Sequence, residues 1–273
     1  MTKTIVITGA SDGIGAAAAR RLSHAGEHVV VIGRSESKTN AMAAELGADC
    51  FVVDFANLAQ VRTLVQQLRS RYPRIDVLAN NAGGMTTKIE MTEDGYEKTF
   101  QVNYLAPFLL TTQLLDLLVD SRASVINTSS ASQKLLGKVS VEDLENTHRC
   151  RPSKVYALTK LAIILFTKEL HRRYHDAGLS AVAFHPGYVD SNFGPASGSR
   201  ILAFMRHTPT TRFVATADQG ADQLVWLATS TPGVDWKSGE YYSRHKIAKP
   251  HRAANDPRLA RELWDHSLVV ASA

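Results

Sequence analysis

The chain is 273 residues long, 44% hydrophobic and 21% charged, with 31 Lys+Arg against 26 Asp+Glu and a formal net charge of +5. Whole-chain disorder is excluded, and a core of this size needs neither disulfides nor a metal to hold it. No run approaches the ~18 apolar residues of a membrane helix, and the basic residues form no tail or aromatic-interleaved patch, so the expectation is a cytoplasmic protein without a membrane or nucleic-acid partner.

Short β-branched runs alternate with helix-period segments along the chain. Thr4–Thr8 precedes Gly13–Ala25, His28–Ile32 precedes Lys38–Leu46, Cys50–Val53 precedes Asn57–Arg71, and Ile75–Asn80 precedes Thr92–Val119. The rhythm continues with Ser124–Asn127, a long helix near Ser153–Asp176, Ser180–His185, a helix near Ala217–Ala228 and a last strand around Glu240–Tyr242. Runs such as Val29-Val30-Val31-Ile32 lack polar alternation, as parallel strands covered on both faces do. The pattern predicts an α/β fold: a single-domain, doubly wound Rossmann sandwich over residues 1–273 with a seven-stranded, mainly parallel sheet. Two long connections, near 131–152 and 187–218, follow the carboxyl ends of strands, where such sheets bind ligands. Cys50 and Cys150 sit in no ligand spacing and read as reduced, structural residues.

The first strand runs into Thr8-Gly9-Ala10-Ser11-Asp12-Gly13-Ile14-Gly15. Gly9 permits a tight turn, Gly13 lets the backbone approach a pyrophosphate, and Gly15 lets the helix pack on the sheet, its N-terminus facing the anion. Gly9, Ser11, Asp12, Gly13, Ile14 and Gly15 are therefore assigned to a dinucleotide. At the end of the second strand, where an acid would hold a ribose, the chain reads Gly33-Arg34-Ser35. An arginine there pairs with a 2′-phosphate, which favours NADP(H) over NAD(H), although Glu36 stands close enough to reach a 2′-hydroxyl. Asp54 can accept from the adenine amino group or cap the helix beginning near Asn57; it is assigned with Phe55 to the cofactor.

Tyr156 and Lys160 share one helix face at i,i+4 spacing. An ammonium beside a phenol favours the phenolate, so Lys160 is expected to lower the Tyr156 pKa toward the working range. Alone the pair is weak. Together with Thr8-Gly9-x3-Gly13-x-Gly15, Asn80-Asn81-Ala82-Gly83, Asn103, Ser129-Ser130 and Pro186-Gly187 it resembles the short-chain dehydrogenase/reductases, of the group similar to retinol dehydrogenases, over nearly the whole chain.

That resemblance implies an NAD(P)-dependent oxidoreductase that transfers a hydride between nicotinamide and a small-molecule carbonyl or alcohol, with no metal. It implies that Ser130 polarises the substrate oxygen, Tyr156 exchanges its proton, Lys160 holds the nicotinamide ribose and Asn103 anchors a water in a proton relay. Asn81, Ala82 and Gly83 would support the cofactor, Pro186, Gly187 and Val189 would flank the nicotinamide, and Ser191 stands where the family commonly has threonine. The family often pairs through helices corresponding to Asn103–Val119 and Ser153–Asp176, so a homo-oligomer is open, with Leu161, Ile164, Leu165 and Phe166 serving either pairing or the core. The 131–152 insertion and Arg261-Glu262-Leu263-Trp264 also resemble the retinol-dehydrogenase group, and the latter is expected to help close the pocket.

Phe193, Ile201, Leu202, Phe204 and Met205, with Gly194 and Gly198 as hinges, read as a lid over an apolar substrate or as an amphipathic helix on the core. His171 and His175 have zinc-like spacing, but Arg172-Arg173 between them and the lack of an adjacent glutamate favour a solvated helix face. His185 reads as structural. A redox-silent NADPH-binding sensor is the alternative function; it would have little use for the Ser130, Tyr156 and Lys160 set.

Overall fold

A computed structural model describes residues 2–187 and 215–272. Eight strands form one sheet in the order β3-β2-β1-β4-β5-β6-β7-β8. They are β1 (Thr4–Thr8), β2 (His28–Gly33), β3 (Asp49–Val52), β4 (Val77–Asn80), β5 (Ser124–Thr128), β6 (Ser180–His185), β7 (Tyr241–Ser243) and β8 (Lys246–Ile247). All neighbours pair parallel except β7 with β8. The order reverses between β1 and β4, which leaves a crevice at their carboxyl ends.

The helices are α1 (Gly13–His24), α2 (Glu36–Leu46), α3 (Leu58–Arg71), α4 (Lys98–Phe100), α5 (Ala106–Gln113), α6 (Leu115–Asp120), α7 (Val141–Glu145), α8 (Pro152–Tyr174), α9 (Ala217–Thr229) and α10 (Pro257–Ser272). Strand periodicity divides the core between the two faces of the sheet. Val6, Val30, Leu78, Val125 and Ala181 meet Leu64, Phe108, Leu161 and Ile164 on one side. Ile5, Ile7, Val29, Val31 and Val182 meet Ile14, Ala18, Leu22 and Leu224 on the other. Residues that read as uninterrupted apolar runs are thus buried on both faces.

Within the first layer a chain of buried polar groups ties sheet to helices. Asn80 Nδ2 donates to Thr111 Oγ1 (3.0 Å) and Asn127 Oδ1 (2.9 Å), and Asn127 Nδ2 donates to Thr167 Oγ1 (2.9 Å). Directional bonds of this kind set the height of α5 and α8 over β4 and β5, which apolar contact alone does not.

Two expectations need correction, and the 131–152 connection gains local structure. Among the described residues the sheet has eight strands where seven are expected: β8 is an exposed, two-residue edge, too short for a strand signature. It is reached through Arg244 and His245, both at positive φ (52° and 59°), as a two-residue hairpin turn between paired Ser243 and Lys246 requires. The helix expected over Thr92–Val119 begins at Lys98, passes through a π-turn at Gln101–Leu105 and breaks again at Leu114. Residues 131–152 are largely ordered into the 3₁₀ turn Ala131–Leu135, α7 and the 3₁₀ turn Thr147–Arg149.

Trp264 of α10 is 2% exposed, with ring centroids 5.2 Å from Phe108 and 5.7 Å from Phe166, and the Arg173 guanidinium 4.8 Å over its face. Phe166 lies ten residues beyond Tyr156, about 15 Å along α8. Trp264 therefore covers the far half of α8 rather than closing a pocket over Tyr156. Leu161, Ile164, Leu165 and Phe166 are all buried within this one chain. Trp264→Ala should lower the unfolding free energy by about 3–5 kcal/mol, read as a lower urea midpoint at unchanged m-value, with little change in cofactor affinity.

Candidate active site

The glycine turn is closed by sterics. Gly9 and Gly13 hold φ of +67° and +53°, a Cβ on Gly15 would lie 2.2 Å from the Gly9 carbonyl oxygen, and one on Gly9 would lie 2.9 Å from Ala82 Cα. Thr8 Oγ1 accepts from the amides of Asn81 (3.0 Å) and Ala82 (2.9 Å), while Asn81 Nδ2 donates to the Thr8 carbonyl (3.1 Å). The turn after β1 and the Asn81–Gly83 segment after β4 are thereby one rigid unit at the switch point. This is a cradle that side chains would fill, and it fits a dinucleotide's pyrophosphate at the α1 N-terminus.

Other assigned cofactor residues fall in different settings. Asp12 caps α1, accepting from Gly13 N (2.8 Å), and pairs with Lys38 Nζ at 2.6 Å. Ser11 lies against Gly33, where a Cβ would sit 2.5 Å from its hydroxyl. Arg34 is exposed and has no ion-pair partner among the described residues. Ile14 and Phe55 are 8% and 5% exposed and belong to the core, so only their backbones can face a ligand. Asp54 does not cap a helix: its Oδ1 accepts from Ala56 N (2.9 Å), and Asn57 caps α3. Gly187, at φ +95°, and Pro186 follow β6, whereas Val189, Ser191 and the lid residues 193–205 lie outside the described residues.

The catalytic candidates converge beside this cradle. Lys160 is 2% exposed; its Nζ donates to the Thr128 carbonyl (2.9 Å), lies 5.6 Å from the Tyr156 ring centroid and stands 3.5 Å from where a Gly83 Cβ would be. Ser129 Oγ donates to the Lys160 carbonyl (2.7 Å), pinning α8 to the end of β5. The next residue, Ser130, turns outward to cap the following 3₁₀ turn, and its hydroxyl hydrogen-bonds Tyr156.

Asn103 is 2% exposed, and its side chain is tied down on two sides: Oδ1 accepts from Gly84 N and Nδ2 donates to Gly84 O, both at 2.8 Å, and Nδ2 also donates to Thr159 Oγ1 at 3.3 Å. Its amide therefore clamps the Gly83-Gly84 segment. Its carbonyl lies inside the π-turn, and its ordinary i+4 donor would be Pro107, which has no N–H. Pro107 four residues after Asn103 was the sequence signal for this arrangement.

Burial works against the expected lowering of Tyr156. Burial pushes the phenol up to about 12 and the Ser130 hydrogen bond offsets only part of that, while burial brings Lys160 down to about 8. A phenol that keeps its proton at neutral pH can donate it to a carbonyl oxygen. Lys160 supplies a positive charge below pH 8 and a neutral amine above it.

The sequence reading named Thr8 and Ser129 within motifs without giving them a role and missed Thr128 and Gly84; all four position the reactive groups without carrying reactive chemistry of their own. The His171 and His175 rings lie tilted at 40° with centroids 4.5 Å apart, and His171 Nδ1 meets Ser238 Oγ (2.9 Å). No cluster of three potential metal-binding side chains occurs among the described residues. Within the same set, no helix is long and apolar enough to cross a membrane.

Comparison with known proteins gives one consistent grouping. The family model described as short chain dehydrogenase matches residues 3–200. A protein of Streptomyces sp. (strain C5) carrying the provisional name daunorubicin C-13 ketoreductase DnrU is 39% identical over 98% of this chain and 92% of its own length. Retinol dehydrogenase 14 of Mus musculus is 36% identical over 98% of this chain and 85% of its own. A crystal structure of an uncharacterized protein from Mycobacterium paratuberculosis superposes with a TM-score of 0.77 at 30% identity, covering 99% of this chain and 94% of that one.

The reductase rate constant kcat/KM should fall as pH rises through about 8, because the buried Lys160 ammonium loses its proton there. Stability should move the other way. Lys160 titrates lower in the folded state than its ordinary 10.5, so the unfolded chain binds more protons between about pH 8 and 10.5, and stability rises with pH across that window. Urea midpoints measured at pH 7.5 and 9.5 check the sign.

Proposed function

The chain belongs to the short-chain dehydrogenase family, and from that premise we propose that it is an NADP(H)-dependent oxidoreductase acting on the carbonyl or alcohol of a small, apolar molecule. The observation that carries the reading is the convergence of Ser130, Tyr156 and Lys160 beside Gly83 and the glycine turn. When bound, the nicotinamide supplies or accepts the hydride at the reacting carbon.

The protein's part is orientation and a proton. Ser130, on its rigid turn, and Tyr156 both offer hydroxyl protons to the substrate oxygen, fixing the carbonyl and polarising it. Tyr156 then gives up its proton, and the phenolate left behind faces the Lys160 ammonium, 5.6 Å from its ring centroid. Water entering along the Asn103 carbonyl restores the proton. In the alcohol-oxidising direction the same atoms run in reverse.

Arg34 supports the choice of NADP(H): it follows β2, is exposed and has no ion-pair partner among the described residues, and Lys38 stands one helical turn further on. An apolar substrate is supported by Leu135, five residues after Ser130 and 86% exposed, and by relatives named for retinol. A cytoplasmic setting is part of the proposal, supported by Cys50 and Cys150 being free thiols.

Tyr156→Phe should reduce turnover by about 10²–10⁴-fold while NADPH binding, followed by fluorescence, stays within a factor of two. Undiminished turnover of aldehydes and ketones would remove Tyr156 as the acid. Arg34→Asp should weaken NADPH at least about tenfold more than NADH; equal loss of both would point to NAD(H) or to no discrimination.

A further inference from the structure

His185 ends β6 and carries no role in the chemistry above, yet it is built into the site from two directions. Its backbone leads directly into Pro186 and Gly187, the segment expected along the nicotinamide. Its ring points across to β5, where Nδ1 accepts from the amide of Ala131 at 3.3 Å. That amide is the first of the 3₁₀ turn capped by Ser130 and would otherwise have no intrahelical acceptor. The Ser130 hydroxyl accepts from Ser132 N (3.2 Å), so the two bonds together fix the direction in which Ser130 meets Tyr156.

We infer that His185 is a positioning residue that holds the Ser130 turn at a set distance from the nicotinamide-flanking segment, and so aligns the polarised carbonyl with the hydride path. The inference rests on the function proposed above. The other end of the turn is anchored independently: Gln133 Oε1 accepts from His251 N (2.6 Å), and the His251 ring meets the Leu136 carbonyl (3.1 Å). Loss of the His185 ring therefore loosens Ser130 without releasing the turn.

An Nδ1 acceptor requires the neutral tautomer protonated at Nε2. Burial, with Lys134 and Arg244 as neighbouring cations, brings the ring down to about 4, which keeps that tautomer through the neutral range. A protonated ring would set N–H against N–H and break the contact.

The test uses the full-length enzyme with NADPH and whichever of decanal, benzaldehyde and cyclohexanone the wild type reduces. His185→Leu, which keeps bulk and removes the acceptor, should lower kcat about 10–100-fold with the NADPH dissociation constant within twofold. His185→Asn places an oxygen where Nδ1 was and should recover most of the rate; His185→Gln should not. In a Ser130→Ala background His185→Leu should cost less than twofold more, because the group it positions is gone. A full additional loss in that background, an unchanged kcat in His185→Leu, or weakened NADPH binding with normal kcat would each overturn the inference. Ring ¹⁵N shifts of His185 give a readout independent of turnover. An Nε2-protonated neutral ring from pH 5 to 8 supports the inference, and an Nδ1-protonated ring refutes it even if none of the three carbonyl compounds proves to be a substrate.

Discussion

The rest of the site depends on one buried ammonium. Lys160 is surrounded by protein, and the Thr128 carbonyl, the space left by Gly83 and the Tyr156 ring are what it meets there. Removing a cation from water is costly, and its depressed pKa is the direct expression of that cost. The fold tolerates it because α8 buries much apolar surface beside it, with Leu158, Leu161, Ile164 and Leu165 all buried. A loose surface helix could not hold a charge in that position.

Around it, polar atoms divide between holding and reacting. Thr8, Asn81, Ser129 and the Asn103 amide each bond a backbone group and so hold neighbouring segments together, whereas the Ser130 hydroxyl meets that of Tyr156. The Thr111–Asn80–Asn127–Thr167 chain does the same work one layer deeper. Such bonds have narrow angular preferences, so they position α5 and α8 more closely than side-chain packing does. The π-turn at Gln101–Leu105 belongs with them, shifting the helix register where Asn103 must reach Gly84.

The C-terminal helix accounts for the apolar face of α8. Trp264 and Leu263 of α10 are buried, the former against Phe108 and Phe166, while Tyr104 Oη meets Ser267 Oγ at 2.8 Å. Phe166 therefore reads identically in sequence whether it meets a second chain or a later segment of its own. Periodicity reports that a face is covered, and not by what.

Most of the sheet and the placement of the glycine turn were legible in the sequence, because strand alternation, glycine conformations and the i,i+4 relation of Tyr156 to Lys160 are properties of neighbouring residues. The edge strand β8 was not, since its pairing rests on a turn made by Arg244 and His245 instead of the usual glycine or asparagine. Nor were the burial of Phe55 and Ile14, the commitment of the Asn103 amide to Gly84, or the rise of the Tyr156 pKa. Each depends on which distant groups arrive at a position and how much water they displace. Residue types and spacing determined by themselves what chemistry this chain could carry; only the tertiary structure decided which atoms remain available for it, because desolvation and hydrogen-bond pairing are set by long-range neighbours.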